Sequence, residues 1–222
     1  MSSTQSPARL SPLLHTHIAL GARITNIDGW QLPEYYVSTE HEAAALRKTV
    51  GICDVTGGAI LRVKSRQLAS DLPTGSVIQG DGLTQARLTD EELLVIGSST
   101  AVDGWQANAT AKSDATTHVI DLTSGFVSFK IAGSKSRDLL AAMTDIDLRD
   151  HTMPNFTCAQ AGFAGVHGTL LRIDLGSTLA YDLLVSREFG EYFWHTALAS
   201  LPSGSVIPVG HEALTNISGS SI

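Results

Sequence analysis

Two aspartates in matching settings carry the first candidate chemistry of this chain. Asp54 opens the run Asp54-Val55-Thr56-Gly57-Gly58, and Asp121 opens Asp121-Leu122-Thr123-Ser124-Gly125. A carboxylate at such a junction either binds a ligand amine or caps the backbone donors of the turn that follows. Capping suits both copies at once and is the favoured role. His15-Thr16-His17 would set two imidazoles on one side of a strand, a start for a metal site, but no third ligand follows at a recognised spacing. Asp54, Asp121 and His15 are therefore the catalytic candidates, and no metal is expected. Glu40, His41 and Glu42 read as a solvated helix start. A Ser-His-Asp arrangement stays open, although no G-x-S-x-G elbow marks a nucleophile. Gly57-Gly58 lacks the Lys and the spacing of a phosphate loop.

The elements around these residues repeat. After Asp54 comes Ala59-Ile60-Leu61-Arg62-Val63-Lys64, and after Asp121 comes Val127-Ser128-Phe129-Lys130-Ile131-Ala132, both strand patterns. Leu61 and Val63 answer Phe129 and Ile131, and Arg62 answers Lys130, so one face is apolar in both copies. The chain thus reads as α+β, with two pseudo-repeated α/β units and mainly antiparallel sheets, related by a pseudo-twofold axis. The expected divisions are a flexible arm 1–12, a first unit 13–117, a second unit 118–218 and a loose tail 219–222.

In the first unit, Thr39 and Glu42 have capping-box spacing ahead of a helix that Gly51 ends. A short helical piece follows at Gln67 to Leu72. A turn at Thr89-Asp90-Glu91 leads to the strand Leu93 to Ile96, and a helix Gly104 to Ala111 is anchored by Trp105. In the second unit, Ser134 caps a helix Lys135 to Met143. Strands fall near Gly168 to Ile173 and Tyr181 to Val185. Ser186 caps a helix Arg187 to Ala199 whose core stripe is Phe189, Tyr192, Phe193 and Thr196, with Trp194 and His195 on its flank.

Composition narrows the function classes. Hydrophobic residues make up 43% and charged residues 17% of the 222, enough for a substantial core. The formal charge is -7 and the basic residues are scattered, which argues against a nucleic-acid partner. No apolar run reaches the ~20 residues of a membrane span, and Met1 to Pro7 lacks the apolar core of a signal peptide. Cys53 and Cys158 fit no metal spacing and read as small buried hydrophobes in a reducing compartment. The expected location is cytoplasmic.

The opening segment carries a family resemblance. Ser11-Pro12-Leu13-Leu14-His15 through His17, Leu20-Gly21-Ala22-Arg23, Gly29-Trp30, Leu32-Pro33 and Tyr35-Tyr36 resemble the start of the aminomethyltransferase family, the T-protein of the glycine cleavage system and its folate-dependent demethylase relatives. His41-Glu42, Leu46-Arg47, Val50-Gly51 and Asp54-Val55-Thr56 continue the likeness. Asp121 to Leu140, Phe156, Trp194 and Pro208-Val209-Gly210 resemble the second half of the family's folate-binding domain. The resemblance implies a central cavity that holds tetrahydrofolate and a one-carbon unit taken from an amine or methyl donor.

The same resemblance exposes departures. The family's catalytic Asp lies in a G-G-x-x-D-D hairpin, but here Leu88 runs directly into Thr89-Asp90-Glu91, and Asp90 is a poor substitute. In the family's R-T-G-Y-T-G-E segment, Arg172 persists while Thr178 stands where a Glu pairs with the pterin. The family's A-R-D segment has become Ala213-Leu214-Thr215. The implied ligand-binding residues are Tyr35, Arg172 and Thr178. The chain also resembles the small gamma subunit of heterotetrameric sarcosine oxidase, where such a domain supports a partner with flavin and folate sites. The expected function is a degenerate folate-type domain that binds a small molecule in a central cavity or acts as an accessory subunit of one-carbon or amine metabolism. A flavin oxidoreductase or another protein subunit is the expected partner. The alternatives are an enzyme with a repurposed cavity and a surviving tetrahydrofolate-dependent aminomethyl or methyl transferase.

Overall fold

A computed structural model describes residues 9–66, 68, 71–112 and 116–219. The chain opens with β1 (Arg9–Leu10), α1 (Leu14–Ala19) and the hairpin β2 (Arg23–Ile27) and β3 (Trp30–Tyr35). Then come α2 (Thr39–Leu46), β4 (Val50–Asp54), β5 (Ala59–Lys64), β6 (Val77–Gly80), β7 (Leu83–Thr89), β8 (Glu92–Gly97) and α3 (Ser99–Lys112). The second half contains β9 (His118–Asp121), β10 (Phe126–Ala132), α4 (Ser136–Ala141), β11 (Thr157–Phe163), β12 (Val166–Arg172), β13 (Ala180–Ser186), α5 (Gly190–Ala199), β14 (Val206–Pro208) and α6 (His211–Ser218).

Two large sheets have orders β6-β7-β8-β5-β9 and β11-β12-β13-β10-β4-β14, and β1-β3-β2 forms a third. Pairing is antiparallel except for β1 with β3 and β14 with β4. Five strands of the two large sheets correspond position by position, with one exchange, and β14 is an added sixth strand of the second. β4, which leads the first half, lies beside β10, while β9, which leads the second, lies beside β5. Asp54 thereby pairs with Phe129, and Asp121 pairs with Leu61. The exchange means that the sheets do not follow a division of the chain at 117/118.

The apolar alternation fixes the layers. Leu61 and Val63 pack with Leu93, Val95 and Val102 of α3, and Phe129 and Ile131 pack with Phe193 and Trp194 of α5. Ile60, Leu94, Leu171 and Leu184 fill the space between the two sheets. Three two-residue turns have φ above zero at both positions: Asp28-Gly29, Asp81-Gly82 and Ala164-Gly165. They join β2 to β3, β6 to β7 and β11 to β12, the connection whose twist suits tight hairpins.

Several local expectations change. Residues 1–8 lie outside the described residues, but Arg9–Leu10 pair with β3, and Ser11 is buried. His15 and His17 sit on a helix, not a strand. The cap of α2 is Ser38, whose hydroxyl accepts from the His41 amide at 3.2 Å. Glu42 is buried rather than solvated: its carboxylate accepts from the amides of Tyr36 at 2.6 Å, Val37 at 2.9 Å and Gly210 at 2.8 Å. Of the Gln67 to Leu72 stretch, residues 67, 69 and 70 lie outside the described residues. Neither Ser134 nor Ser186 caps a helix with its side chain; α4 begins after Lys135, and α5 follows a 3-10 turn Arg187–Phe189. Phe189 and Tyr192 are exposed, whereas Trp194 is fully buried, so the buried stripe of α5 is Gly190, Phe193, Trp194 and Ala197. Trp105 is only partly buried, and Val102 is the deeper anchor of α3. Cys53 and Cys158 are both buried and free. No helix among the described residues is long and apolar enough to cross a membrane.

Glu42 ties α2, the end of β3 and the start of α6 to one buried anion. Glu42→Ala strands three amide donors, each worth about 1–3 kcal/mol when left unmade. The expected loss is about 3–5 kcal/mol of unfolding free energy, read as a fall in the urea midpoint with the slope unchanged.

Candidate functional site

The two aspartate turns are built alike down to individual hydrogen bonds. The Thr56 amide donates to Asp54 Oδ1 at 2.9 Å, and the Thr123 amide donates to Asp121 Oδ1 at 2.8 Å. Thr56 Oγ1 accepts from the Ser128 amide at 3.1 Å, and Thr123 Oγ1 accepts from the Ile60 amide at 3.0 Å. Each aspartate therefore shapes its own turn, and each threonine locks that turn to the neighbouring central strand. The copies then diverge. Asp121 is exposed, while Asp54 is inaccessible to water.

Asp54 Oδ2 accepts from Ser11 Oγ and from His17 Nε2, the latter at 2.9 Å. His17 Nδ1 lies 2.8 Å from Tyr36 Oη. A carboxylate only accepts, so Nε2 carries a hydrogen and donates it to Asp54. Burial, with the nearby Cys53 and Asp54, pushes the Tyr36 phenol well above its ordinary range. The Trp194 ring meets the imidazole edge-on at 4.9 Å. Ser11, His17 and Asp54 thus do come together, but Ser11 bonds the acid instead of the imidazole. All three are sealed from solvent. This is not the nucleophile-base-acid order of a hydrolase. Burial alone would raise the Asp54 carboxyl, but the hydrogen bonds and charge of His17, with Ser11 and Thr56, outweigh it and hold the group below its usual value.

The other sequence-selected residues lie apart. His15 is exposed on α1. The Tyr35 hydroxyl accepts from Arg23 Nη1 at 3.1 Å on the β2–β3 hairpin. Arg172 is buried and fully engaged, with Nη1 2.6 Å from Asp150 and 2.7 Å from the Met153 carbonyl, and Nη2 3.1 Å from Asp174. Thr178 closes a turn by exchanging backbone bonds with Leu175 at 2.9 Å. Asp90 sits in the two-residue turn between β7 and β8, exposed and accepting from Thr74. None of these five, nor Asp54 or Asp121 through its carboxylate, forms a shared site.

A cleft of about 270 Å³ opens where the two large sheets meet the β2–β3 turn and α6. Its apolar wall includes Ile27, Leu32, Val55, Leu184 and Leu214. Its ionisable groups are Asp28, Lys130, Asp182 and His211. Lys130 Nζ lies 2.7 Å from both oxygens of Asp182, its cross-strand partner on β13. His211 Nε2 lies 3.0 Å from the backbone oxygen of Asp54, so the sealed cluster reaches the cleft through that carbonyl. Gly210 admits this arrangement by contact: a Cβ there would strike the Glu34 carbonyl. None of the four ionisable groups was singled out from sequence for a site, and Lys130 was noticed only as the counterpart of Arg62. The Asp28-Gly29 turn signal and the His directly after Pro208-Val209-Gly210 were the available clues. Among the described residues, no three His, Cys, Asp or Glu side chains are placed to hold a metal ion.

The family description "GCVT N-terminal domain" matches residues 67–218. The chain belongs to that family. It is 22% identical to an aminomethyltransferase of Thermotoga maritima over 90% of this chain and 60% of that protein. It is 26% identical to one of Streptomyces coelicolor, over 95% and 61%. It is also 24% identical to a sarcosine oxidase subunit alpha of Rhizobium meliloti, over 94% of this chain and 25% of that one. The chain therefore spans about three fifths of the length of the first aminomethyltransferases it matches. Among solved structures, aminomethyltransferase T of the glycine cleavage system from Bartonella henselae superposes with a TM-score of 0.76 at 15% identity, over 95% of this chain and 62% of that one. A chain of the heterotetrameric sarcosine oxidase from Corynebacterium sp. U-96 superposes with a TM-score of 0.64 at 15% identity, over 96% and 97%. These likenesses establish the GCVT fold, and the resemblance read from the opening segment stands.

Within this GCVT-family chain, Asp54 is a structural anion. Asp54→Asn removes charge from three hydrogen bonds that are worth about 1.5–3 kcal/mol each, so a loss of at least about 3 kcal/mol is expected in chemical denaturation. The sign with pH follows from the lowered carboxyl. Its contribution is complete above the unfolded-state value of about 3.9 and is lost as pH falls through the lower folded-state value. The acid unfolding transition of the wild type should therefore be steeper than that of Asp54→Asn when both are followed by Trp fluorescence.

Proposed function

We propose that this chain is an accessory GCVT-type domain that keeps a small-molecule cleft, has given up aminomethyl transfer, and works as a subunit beside a flavin-dependent amine oxidoreductase. The observation that carries this reading is the β7–β8 connection, which keeps its acids away from the cleft. The fold likeness to one chain of heterotetrameric sarcosine oxidase supports the subunit part of it.

The β7–β8 turn supports the loss of transfer chemistry. The strands meet through Asp90-Glu91 alone, and the cleft lies at their other end, at Thr84, Ile96 and Gly97. Six residues of strand separate Asp90 from Thr84, roughly 20 Å at about 3.3 Å per residue. An acid that manages a substrate proton must come within hydrogen-bond reach of it, and Asp90 does not reach the cleft.

The residues of the cleft also fit tetrahydrofolate poorly. A pterin edge asks for a carboxylate with both oxygens free to accept from neighbouring N–H groups. Asp182 is held by Lys130, Asp28 is exposed at the rim, and Thr178 lies outside the cleft.

Co-expression with a flavin amine oxidoreductase from the same genome, followed by size-exclusion chromatography, tests the subunit reading. Co-elution in a fixed ratio is the expected result, and elution of this chain alone overturns it. Family membership supports a second reading, a tetrahydrofolate-dependent transferase. That reading requires heat of binding when tetrahydrofolate or 5-formyl-tetrahydrofolate is titrated by calorimetry, and silence at millimolar ligand removes it.

A further inference from the structure

His211 stands in the cleft with one ring nitrogen committed and one free. The Asp54 carbonyl can only accept, so the hydrogen bond at 3.0 Å places the hydrogen on Nε2 and leaves a lone pair on Nδ1. Nδ1 has no partner among the described residues. The ring is held in place from behind. His211 is the first residue of α6, the Gly210 amide is bound by Glu42, and Gly210 is pressed against the Glu34 carbonyl. Burial pushes the imidazole below its ordinary value, against the opposing pull of Asp54, so it is neutral near pH 7.

The rest of the cleft completes a charge pattern. Lys130 and Asp182 cancel one another at 2.7 Å. Asp28 on the β2–β3 turn makes no ion pair among the described residues and leaves one net negative charge at the rim. Ile27, Leu32, Val55 and Leu214 offer apolar surface beside these groups. A fixed neutral acceptor, one uncompensated anion and an apolar wall match a small cation that carries both alkyl groups and an N–H.

We infer that His211 is a specificity-determining residue that accepts a hydrogen bond at Nδ1 from the N–H of a small alkylammonium ligand, with the Asp54 carbonyl as the positioning group that fixes its tautomer. The inference rests on the cleft being a binding site, and not on the subunit partnership. Protonation of His211 would fill the lone pair and add a second positive charge beside the ligand, so binding falls on the acid side. The charged groups that share this surrounding are Asp54 from β4, Lys130 from β10, Asp182 from β13, Asp28 from the hairpin turn, Glu42 from α2 and the neighbouring Glu212.

The experiment is long-range 1H–15N NMR of the full chain labelled at histidine. It is titrated with methylammonium, dimethylammonium, trimethylammonium and tetramethylammonium chlorides. The Nε2–H tautomer of His211 is expected in the free protein, and its Nδ1 resonance should move with the three N–H-bearing ions but not with tetramethylammonium. His211→Phe, which keeps a ring but no acceptor, should bind dimethylammonium about tenfold more weakly, the effect of one charge-assisted hydrogen bond. His211→Gln, with its amide oxygen, should retain most of the affinity. The Nδ1–H tautomer, an equal response to tetramethylammonium, or no response to any of the four overturns the inference. Co-elution with the oxidoreductase would still stand in that event. Should His211→Phe fail to fold, the wild-type tautomer and the discrimination against tetramethylammonium decide the matter alone.

Discussion

A carboxylate shut away from water must find its whole solvation in the protein, and Asp54 finds it in three places at once. Ser11 comes from just past the opening strand, His17 from the first helix, and Thr56 from the turn that Asp54 itself begins. Each donor belongs to a different stretch of chain, so the anion is satisfied only when all three are docked. Burying the charge without them would cost several kcal/mol. The opening segment is thereby coupled to the β10 sheet. Its β2–β3 turn is carried to the edge of the cleft, and the Asp54 carbonyl meets His211. One residue solves a packing problem with its side chain and sets a ring in the cleft with its backbone.

Glu42 plays a parallel part a short distance away. Its two oxygens take the amides of Tyr36 and Val37, just past the end of β3, and of Gly210 at the start of α6. Without that anion the first amides of two separate segments would be unpaired in the interior. Asp54 and Glu42 together define one side of the cleft from within. The opposite side is set by the cross-strand register that brings Lys130 against Asp182.

The fold was legible because it is written in local pattern. Leu61 with Val63 and Phe129 with Ile131 show period two with matching turns, and the strands form where that pattern places them. The strand exchange was not legible. Nothing in the residues of β4 says whether it will lie beside β5 or β10. The site suffered most from a related limit. His15 and His17 were read as a pair on one side of a strand, but on a helix two residues two apart point about 200° from each other, so one is buried against Asp54 and the other faces water. Glu42 looked solvated because burial of a charge depends on donors far along the chain, Gly210 among them. His211 and Asp182 acquire meaning only once α6 and β13 are packed against the same strands.

The two aspartates finally separate scaffold from site. Their turns share the Asx bond and the threonine bond to the neighbouring strand, so the repeat itself asks nothing of a ligand. What differs is the cover. The opening segment, with α6 behind it, lies over Asp54, while Asp121 keeps an exposed carboxylate held low by Thr123, with a weaker contribution from Arg9. An asymmetric addition tells the copies apart: the same Asx turn, once covered, presents its carbonyl to an imidazole at the edge of a cleft. Selection for binding would therefore act on the covering residues Asp28 and His211 more than on the duplicated turns, which the sheets require whether or not anything is bound.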